Sequence, residues 1–216
     1  MLRKLALKST TITKGKVNTL LMICTMAVAV TLNPSYVSAN PLAPTLSKEQ
    51  VIEQLNLSHH FEGGYFRQTF KANHRDKVTT KRGERVTMTA IFYMLTDDNN
   101  IDHFHTKYSD GIEFYHMGAP ITYHMIYPDG RYEKVVVGPD IQNGQQLQLP
   151  VPGGTYKAAE LPSGAYGLVS EAVSPGWEKE DMIEVSQEEL LEKFPQHKAI
   201  IKRLANKGAH YTNSIK

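Results

Sequence analysis

Two histidines one residue apart, in His103-Phe104-His105, are the sharpest local source of chemistry in the chain. In an extended segment residues two apart point the same way, so both imidazoles line one wall and Phe104 faces the other. Two imidazoles on one wall suit Zn, Fe, Ni, Cu or Mn. In a strand such a pair is more often a hydrogen-bonded couple at a surface or pocket lip. Glu113 lies eight residues after His105, across the turn signal Ser109-Asp110-Gly111. A reversal there returns its carboxylate beside the histidines, as a metal ligand or as a general base. Its apolar neighbours Ile112 and Phe114 suit an ordinary exposed strand residue as well. His116 and His124 have no such pairing and read as hydrogen-bonded strand histidines.

Glu62-Gly63-Gly64-Tyr65-Phe66-Arg67 is a second dense cluster. A Gly-Gly pair signals unusual dihedrals or a close backbone approach. Arg67, on the strand that follows, can meet a carboxylate or phosphate with two parallel hydrogen bonds, or stand in solvent. Val151-Pro152-Gly153-Gly154-Thr155 is a tight turn that puts Tyr156 and Lys157 at a strand start, with Lys157 a substrate-binding cation or a solvated one. The crowded charges of residues 71–86 suit an anion-binding loop or a solvated mobile one. No phosphate-cradling glycine loop with Lys-Ser/Thr appears, no Gly-x-Ser-x-Gly elbow and no nucleotide-binding βαβ unit. This removes most kinase, NTPase, dehydrogenase and serine-hydrolase functions.

The elements that must position these groups are mostly short strands. Tyr65–Phe70, Val86–Leu95, Ile112–His116, Ile121–Tyr127, Tyr132–Val137, Gln146–Val151, Thr155–Glu160 and Tyr166–Val173 are rich in aromatic and β-branched residues. Turn residues separate them, as in Pro128-Asp129-Gly130, Asn143-Gly144 and Pro162-Ser163-Gly164. This spacing predicts an all-β sandwich or barrel. Capping boxes at Ser47–Gln50 and Ser186–Glu189 open a short helix over 48–56 and the first of two C-terminal helices.

The chain has 216 residues, enough for one good core, and a formal charge of +2 that is unevenly placed. Residues 1–39 hold five Lys and Arg and no acid, which leaves 19 Lys and Arg against 22 Asp and Glu in the rest. A mildly acidic remainder argues against a nucleic-acid partner, which needs a basic face. The basic start leads into the apolar run 19–32 and then Val37-Ser38-Ala39, the order of a secretory signal peptide cleaved before Asn40. The apolar run falls short of the roughly 20 residues that cross a bilayer, so no stable span is expected after cleavage. Cys24, the one cysteine, lies inside this leader, and the mature chain is expected to use no disulfide, thiolate ligand or cysteine nucleophile.

Several pieces in one order resemble the cupin superfamily. They are Glu62–Arg67, Thr89–Leu95, Phe104-His105 followed by Ser109-Asp110 and Gly118, Pro128-Asp129-Gly130, Gly138-Pro139-Asp140, Val151–Gly154, Ala158–Leu161 and Val173–Trp177. More narrowly they resemble its small subfamily of unknown function, cupin family five. The resemblance implies a double-stranded β-helix, a jelly-roll barrel, over 47–185. A linker at 40–46 and a helical extension at 186–216 flank it. It also implies a homodimer, with the site inside the barrel mouth.

Cupins commonly bind a divalent transition metal through His-x-His, a following Glu and a later His. His103 and His105 match the pair. Glu113 replaces a displaced acid, since Gly111 stands where the subfamily usually has Glu. Lys157 stands at the last histidine's place, and an ammonium cannot ligate. The resemblance therefore leaves two enzyme expectations and one non-catalytic one. The first is a sugar-like or anionic small molecule bound in the barrel, with epimerase- or isomerase-type proton abstraction. There His105 would be the base, His103 or Glu113 would orient it, and Tyr115 would donate a proton. Arg67, Lys157 and Tyr65 would hold the substrate. The second is metal-dependent dioxygenase or lyase chemistry at His103, His105 and Glu113. The third is an exported binding or structural module without turnover.

Overall fold

The structure, a computed structural model, describes residues 46–60 and 63–207. The expected leader with Cys24, most of the linker, Glu62 and the last nine residues lie outside the described residues.

Two antiparallel sheets face each other as a jelly-roll barrel. The first has six strands: β1 (Ser58–His59), β2 (Tyr65–Lys71), β5 (Thr89–Thr96), β12 (Tyr166–Ser174), β7 (Asp110–Gly118) and β10 (Gln148–Val151), hydrogen-bonded in that order. The second has five: β13 (Met182–Glu184), β6 (Ile101–Lys107), β11 (Tyr156–Glu160), β8 (Ile121–Ile126) and β9 (Tyr132–Val137). Alternation along each strand sends one residue set inward. Leu95, Leu149, Val151 and Val169 of the first sheet meet Ile121, Tyr123, Met125, Val135 and Val137 of the second in the interior core.

The outer faces are covered unequally. Helix α1 (Lys48–Gln54) begins at the expected capping box, where the Gln50 N–H donates to Ser47 Oγ at 3.3 Å and the Ser47 N–H donates to Gln50 Oε1 at 2.9 Å. It buries Val51 against Met94, Tyr166 and Leu168 on the outside of the six-stranded sheet. Helices α2 (Gln187–Lys193) and α3 (Lys198–Leu204), with the cap residue Phe194 between them, place Leu190, Phe194, Ile201 and Leu204 on the outside of the five-stranded sheet, over Phe104, Ile126 and Ala158. Arg203 of α3 pairs with Glu160 of β11, and His124 is fully enclosed between Glu160 Oε1 at 2.9 Å and the Tyr132 hydroxyl at 2.7 Å.

The charged segment 71–86 is more ordered than its composition predicts. It forms a hairpin of β3 (Val78–Thr80) and β4 (Gly83–Arg85). Arg85 is buried and donates two hydrogen bonds to Asp181, at 2.6 and 2.9 Å. Arg82 lies 4.0 Å over the Tyr108 ring.

Candidate functional site

The decisive local feature is an irregularity in β6. Lys157 of β11 lies opposite His105, but Ala159 lies opposite Asp102, so three residues of β6 answer two of β11. The extra residue is a β-bulge, and it breaks the two-residue alternation. Asp102 and His105 therefore both face the barrel interior, while His103 and Phe104 face outward. Phe104 joins the core under α2 and α3, and His103 Nδ1 lies 3.0 Å from the Leu204 carbonyl oxygen of α3. The expected wall of two imidazoles is thus corrected: His103 and His105 lie on opposite sides of the sheet.

Inside, a closed set of charges fills the space between the sheets. Lys157 Nζ lies 2.8 Å from Glu113 Oε1, 3.7 Å from Asp102 Oδ2 and 3.9 Å from Glu171 Oε1. Lys107 donates to Glu171 Oε1. All five residues are buried, with Glu113 only 1% exposed. Glu171 of β12 stands directly opposite Glu113 of β7, so like charges meet across one strand pair and need the two ammonium groups between them. The Tyr123 hydroxyl hydrogen-bonds to Glu113, and burial beside that carboxylate and Asp102 raises the phenol well above its usual range. Gly111 matters here for its missing side chain. A Cβ at this position would stand 2.8 Å from Glu171 Oε1 and 3.2 Å from Lys107 Nζ, so the Lys107–Glu171 pair occupies the space a side chain would take.

Above this set lie two imidazoles. The His105 Nδ1–H donates to the His103 carbonyl oxygen at 2.9 Å, which leaves Nε2 as the basic nitrogen of a neutral ring. Burial, reinforced by Lys157, pushes His105 down to about 3. His60 is pushed down to about 4, also by burial, against the pull of Asp102. Both rings are uncharged at neutral pH. Asp102 moves the other way: burial raises its carboxyl above the usual range despite Lys157. Its Oδ1, 3.5 Å from His105 Nδ1, accepts no hydrogen bond within the described residues.

The Gly-Gly turn positions His60. Gly63 and Gly64 have φ of +116° and +73°, and a Cβ on either would come within about 2.5 Å of a carbonyl oxygen, that of Ile101 or Met94. The Tyr93 hydroxyl donates to Gly63 O at 2.8 Å, and its ring meets the His60 ring edge-on at 5.6 Å. His60, His103, His105, Asn99 and Asn100 line a cleft of about 1520 Å³, together with Glu184, Glu188, Glu192 and Lys207.

The remaining expected site residues are placed elsewhere. Tyr65 and Arg67 lie on the outer face of β2. Tyr65 packs on His59 and the α1 cluster, and Arg67 lies over Phe92 at 5.7 Å. The inward residue between them is Phe66. Tyr115 faces inward, but its hydroxyl turns away and donates to Gly118 O at 2.7 Å. His116 is exposed on the outer face, edge-on to Phe92. Asp102, Lys107, Glu171 and His60 were not singled out from sequence. Glu171 carried the clearest signal, as the one charged residue of the strand Tyr166–Ser174.

These residues do not fit the metal that the resemblance implies. One of the two imidazoles faces α3, an ammonium stands at the centre of the carboxylates, and glycine occupies the usual acid position. Among the described residues no three His, Asp or Glu side chains are grouped closely enough to hold an ion.

Comparison with known proteins gives the same architecture. Residues 49–184 match the family described as Cupin superfamily (DUF985). The uncharacterized protein YML079W of Saccharomyces cerevisiae is 34% identical over 160 residues, which is 68% of this chain and 79% of the yeast protein. A hypothetical protein from Leishmania major is 32% identical, with a TM-score of 0.71 over 75% of this chain and 100% of its own. Protein SO0799 from Shewanella oneidensis is 29% identical, with a TM-score of 0.69 over 76% of this chain and 100% of its own.

Proposed function

This chain belongs to the cupin superfamily, in the family with the DUF985 description, and from that premise we propose that it binds a small, neutral, hydroxyl-rich molecule of sugar-like kind at the barrel mouth. The observation that carries this reading is the cleft at the barrel mouth, about 1520 Å³ and lined mostly by polar side chains, the neutral ring of His105 among them. The side-chain carbonyls of Asn99 and Asn100 and the carboxylates of Glu184 and Glu188 are acceptors too. Hydroxyl groups donate, so a polyol matches this lining. An anionic ligand matches it poorly, because Asp98, Glu184, Glu188, Glu189 and Glu192 outweigh Lys207 in the lining. Arg67 is on the far face of its strand, and the Lys157 ammonium is shared among three carboxylates.

The convergent polar interior favours a ligand-binding role over a purely structural one. If turnover accompanies binding, epimerase- or isomerase-type proton transfer would run through His105. With a ring held near 3, that histidine takes a proton from carbon weakly at pH 7, so binding is the stronger half of the reading.

The test is a thermal-shift and saturation-transfer NMR survey of sugars, keto-sugars and polyols, followed by deuterium exchange in D2O on any binder. A binder should raise the midpoint, and His105→Ala should weaken it at least tenfold, about 1.4 kcal/mol. A binder indifferent to His105→Ala, or tight binding of sugar acids alone, would count against the reading. We extend the proposal to export and to a homodimer. The basic-then-apolar leader supports the first. The incompletely covered Phe92, Ile112 and Phe114 on the outside of the six-stranded sheet support the second. Native mass spectrometry of the secreted protein tests both, expecting a chain that starts at Asn40 and a mass of two chains.

A further inference from the structure

We propose that Asp102 is the residue by which the cleft selects among hydroxyl-rich molecules: its Oδ1 receives one hydroxyl group that enters past the rings of His60 and His105. The inference rests on the polyol reading of the cleft, and it names the group that tells one polyol from another. The Asp102 side chain is 3% exposed, and its two oxygens are served unequally. Oδ2 faces the Lys157 ammonium at 3.7 Å, whereas Oδ1 has no hydrogen-bond partner among the described residues. His105 Nδ1 stands 3.5 Å from Oδ1, but its short contact is with the His103 carbonyl oxygen at 2.9 Å. A buried carboxyl oxygen without a donor is costly, and folded proteins leave few of them. A donor from outside the chain removes that cost.

The fold sets this oxygen at the cleft. Ile101, His103 and His105 line the cleft on either side of Asp102 along β6, and the bulge turns Asp102 inward together with His105. The Gly63–Gly64 turn fixes His60 against the same strand, since a Cβ on Gly63 would lie 2.4 Å from the Ile101 carbonyl oxygen. The Asp102 charge is the main pull on the His60 ring against its burial, so ring and acid share one pocket. Chemistry then narrows the occupant. Both rings are uncharged at neutral pH, and a neutral imidazole accepts a hydrogen bond through one nitrogen. An ammonium group would be repelled by Lys157, whose charge already acts on both rings. An anion would meet the Asp102 carboxyl and the acidic lining. A hydroxyl both donates and accepts, which is what a carboxyl oxygen beside neutral imidazoles asks for.

The experiment is a chemical double-mutant cycle. Hexoses, ketohexoses and hexitols that bind in the survey are paired with their monodeoxy and monofluoro analogues. Each is titrated by calorimetry into wild type, Asp102→Ala and Asp102→Asn, with folding checked by near-UV circular dichroism. In wild type, replacing one particular hydroxyl by hydrogen or fluorine should weaken binding by about tenfold or more. In Asp102→Ala the same replacement should cost less than about twofold, because the partner is already gone. Asp102→Asn keeps a hydrogen-bonding group in place and should regain part of the difference. In wild type alone, the carbon-13 resonance of the Asp102 carboxyl should shift when the polyol is added, which reads the contact even where neither variant folds. Binding that weakens in His105→Ala, while no hydroxyl couples to Asp102 and its resonance stays still, would overturn this inference alone and assign Oδ1 to internal water. A survey without a binder would overturn it together with the polyol reading.

Discussion

Lys157→Met probes the interior charge set most directly. It removes the ammonium and keeps much of the volume, so the loss is electrostatic rather than a cavity. The Lys157–Glu113 contact at 2.8 Å corresponds to about 6 kcal/mol of attraction at an effective dielectric constant of 20. Desolvation of both ions offsets most of that in the intact protein, so the pair itself adds little net stability. Removing one partner is different, because Glu113 is then left 1% exposed and charged without its cation, which costs about 3–5 kcal/mol. For a domain of this size such a loss lowers the melting midpoint by roughly 10 °C. The assay is urea unfolding followed by circular dichroism, with Glu113→Gln and the double variant completing the cycle. Lys157→Met combined with Glu113→Gln should recover at least about 2 kcal/mol relative to additivity. Additive energies within about 0.5 kcal/mol, or a single-variant loss below about 1 kcal/mol, would falsify the reading of Lys157 as the cation on which the interior acids depend.

Acid should weaken the fold before its carboxylates titrate. His105 and His60 sit at about 3 and about 4 when folded but near the ordinary value when unfolded, so between those limits the unfolded chain binds more protons. Stability should therefore fall as pH drops from about 6.5 towards 4, by roughly 2 kcal/mol for His105 between pH 7.5 and 5 and by less for the partly exposed His60. Asp102, raised in the folded state, opposes this, since it binds a proton that the unfolded chain releases. Urea midpoints against pH should flatten in His60→Gln/His105→Gln, and an unchanged slope there would assign the acid sensitivity to other groups. His103→Ala should cost about 1 kcal/mol through its bond to α3, and should weaken ligand binding less than His105→Ala because that bond engages its Nδ1. A loss as large as that of His105→Ala would make His103 the main ligand contact of the cleft that both rings line.

The barrel was legible in the sequence where local chemistry controls structure. Turn residues such as Pro128-Asp129-Gly130 bound the observed strands β8 and β9, and both Ser-x-x-Gln/Glu capping boxes form as read. The face of each residue was legible only where alternation is unbroken. Glu113 and Glu171 follow the parity of their strands inward, whereas Tyr65 and Arg67 follow theirs outward because Phe66 is the buried member. The parity of β6 was illegible. The sequence Ile101–Lys107 contains no glycine or proline to mark the bulge, and the bulge is set by pairing with β11, a strand some fifty residues away. The interior ion set was missed for a related reason. Asp102 and Lys107 are unremarkable singly, Glu171 stands out only as the one charge in its strand, and only the closure of the sheets brings them to one place.

The bulge also explains why the interior and the C-terminal helices change together. One extra residue on β6 turns His103 out and Asp102 in, so the barrel loses an imidazole and gains a carboxylate in a single step. The imidazole finds a use outside. The last carbonyls of a helix lack intrahelical donors, and His103 supplies one to Leu204 at the end of α3. The carboxylate creates a need inside. A buried acid that accepts no hydrogen bond at one oxygen calls for a cation, and the strand paired with the bulge presents Lys157 opposite His105. Docking of α3 and the ammonium at the barrel centre are therefore two consequences of the same register. A substitution that removed the bulge would lose both, carrying His103 back towards the interior and taking the acid away from Lys157.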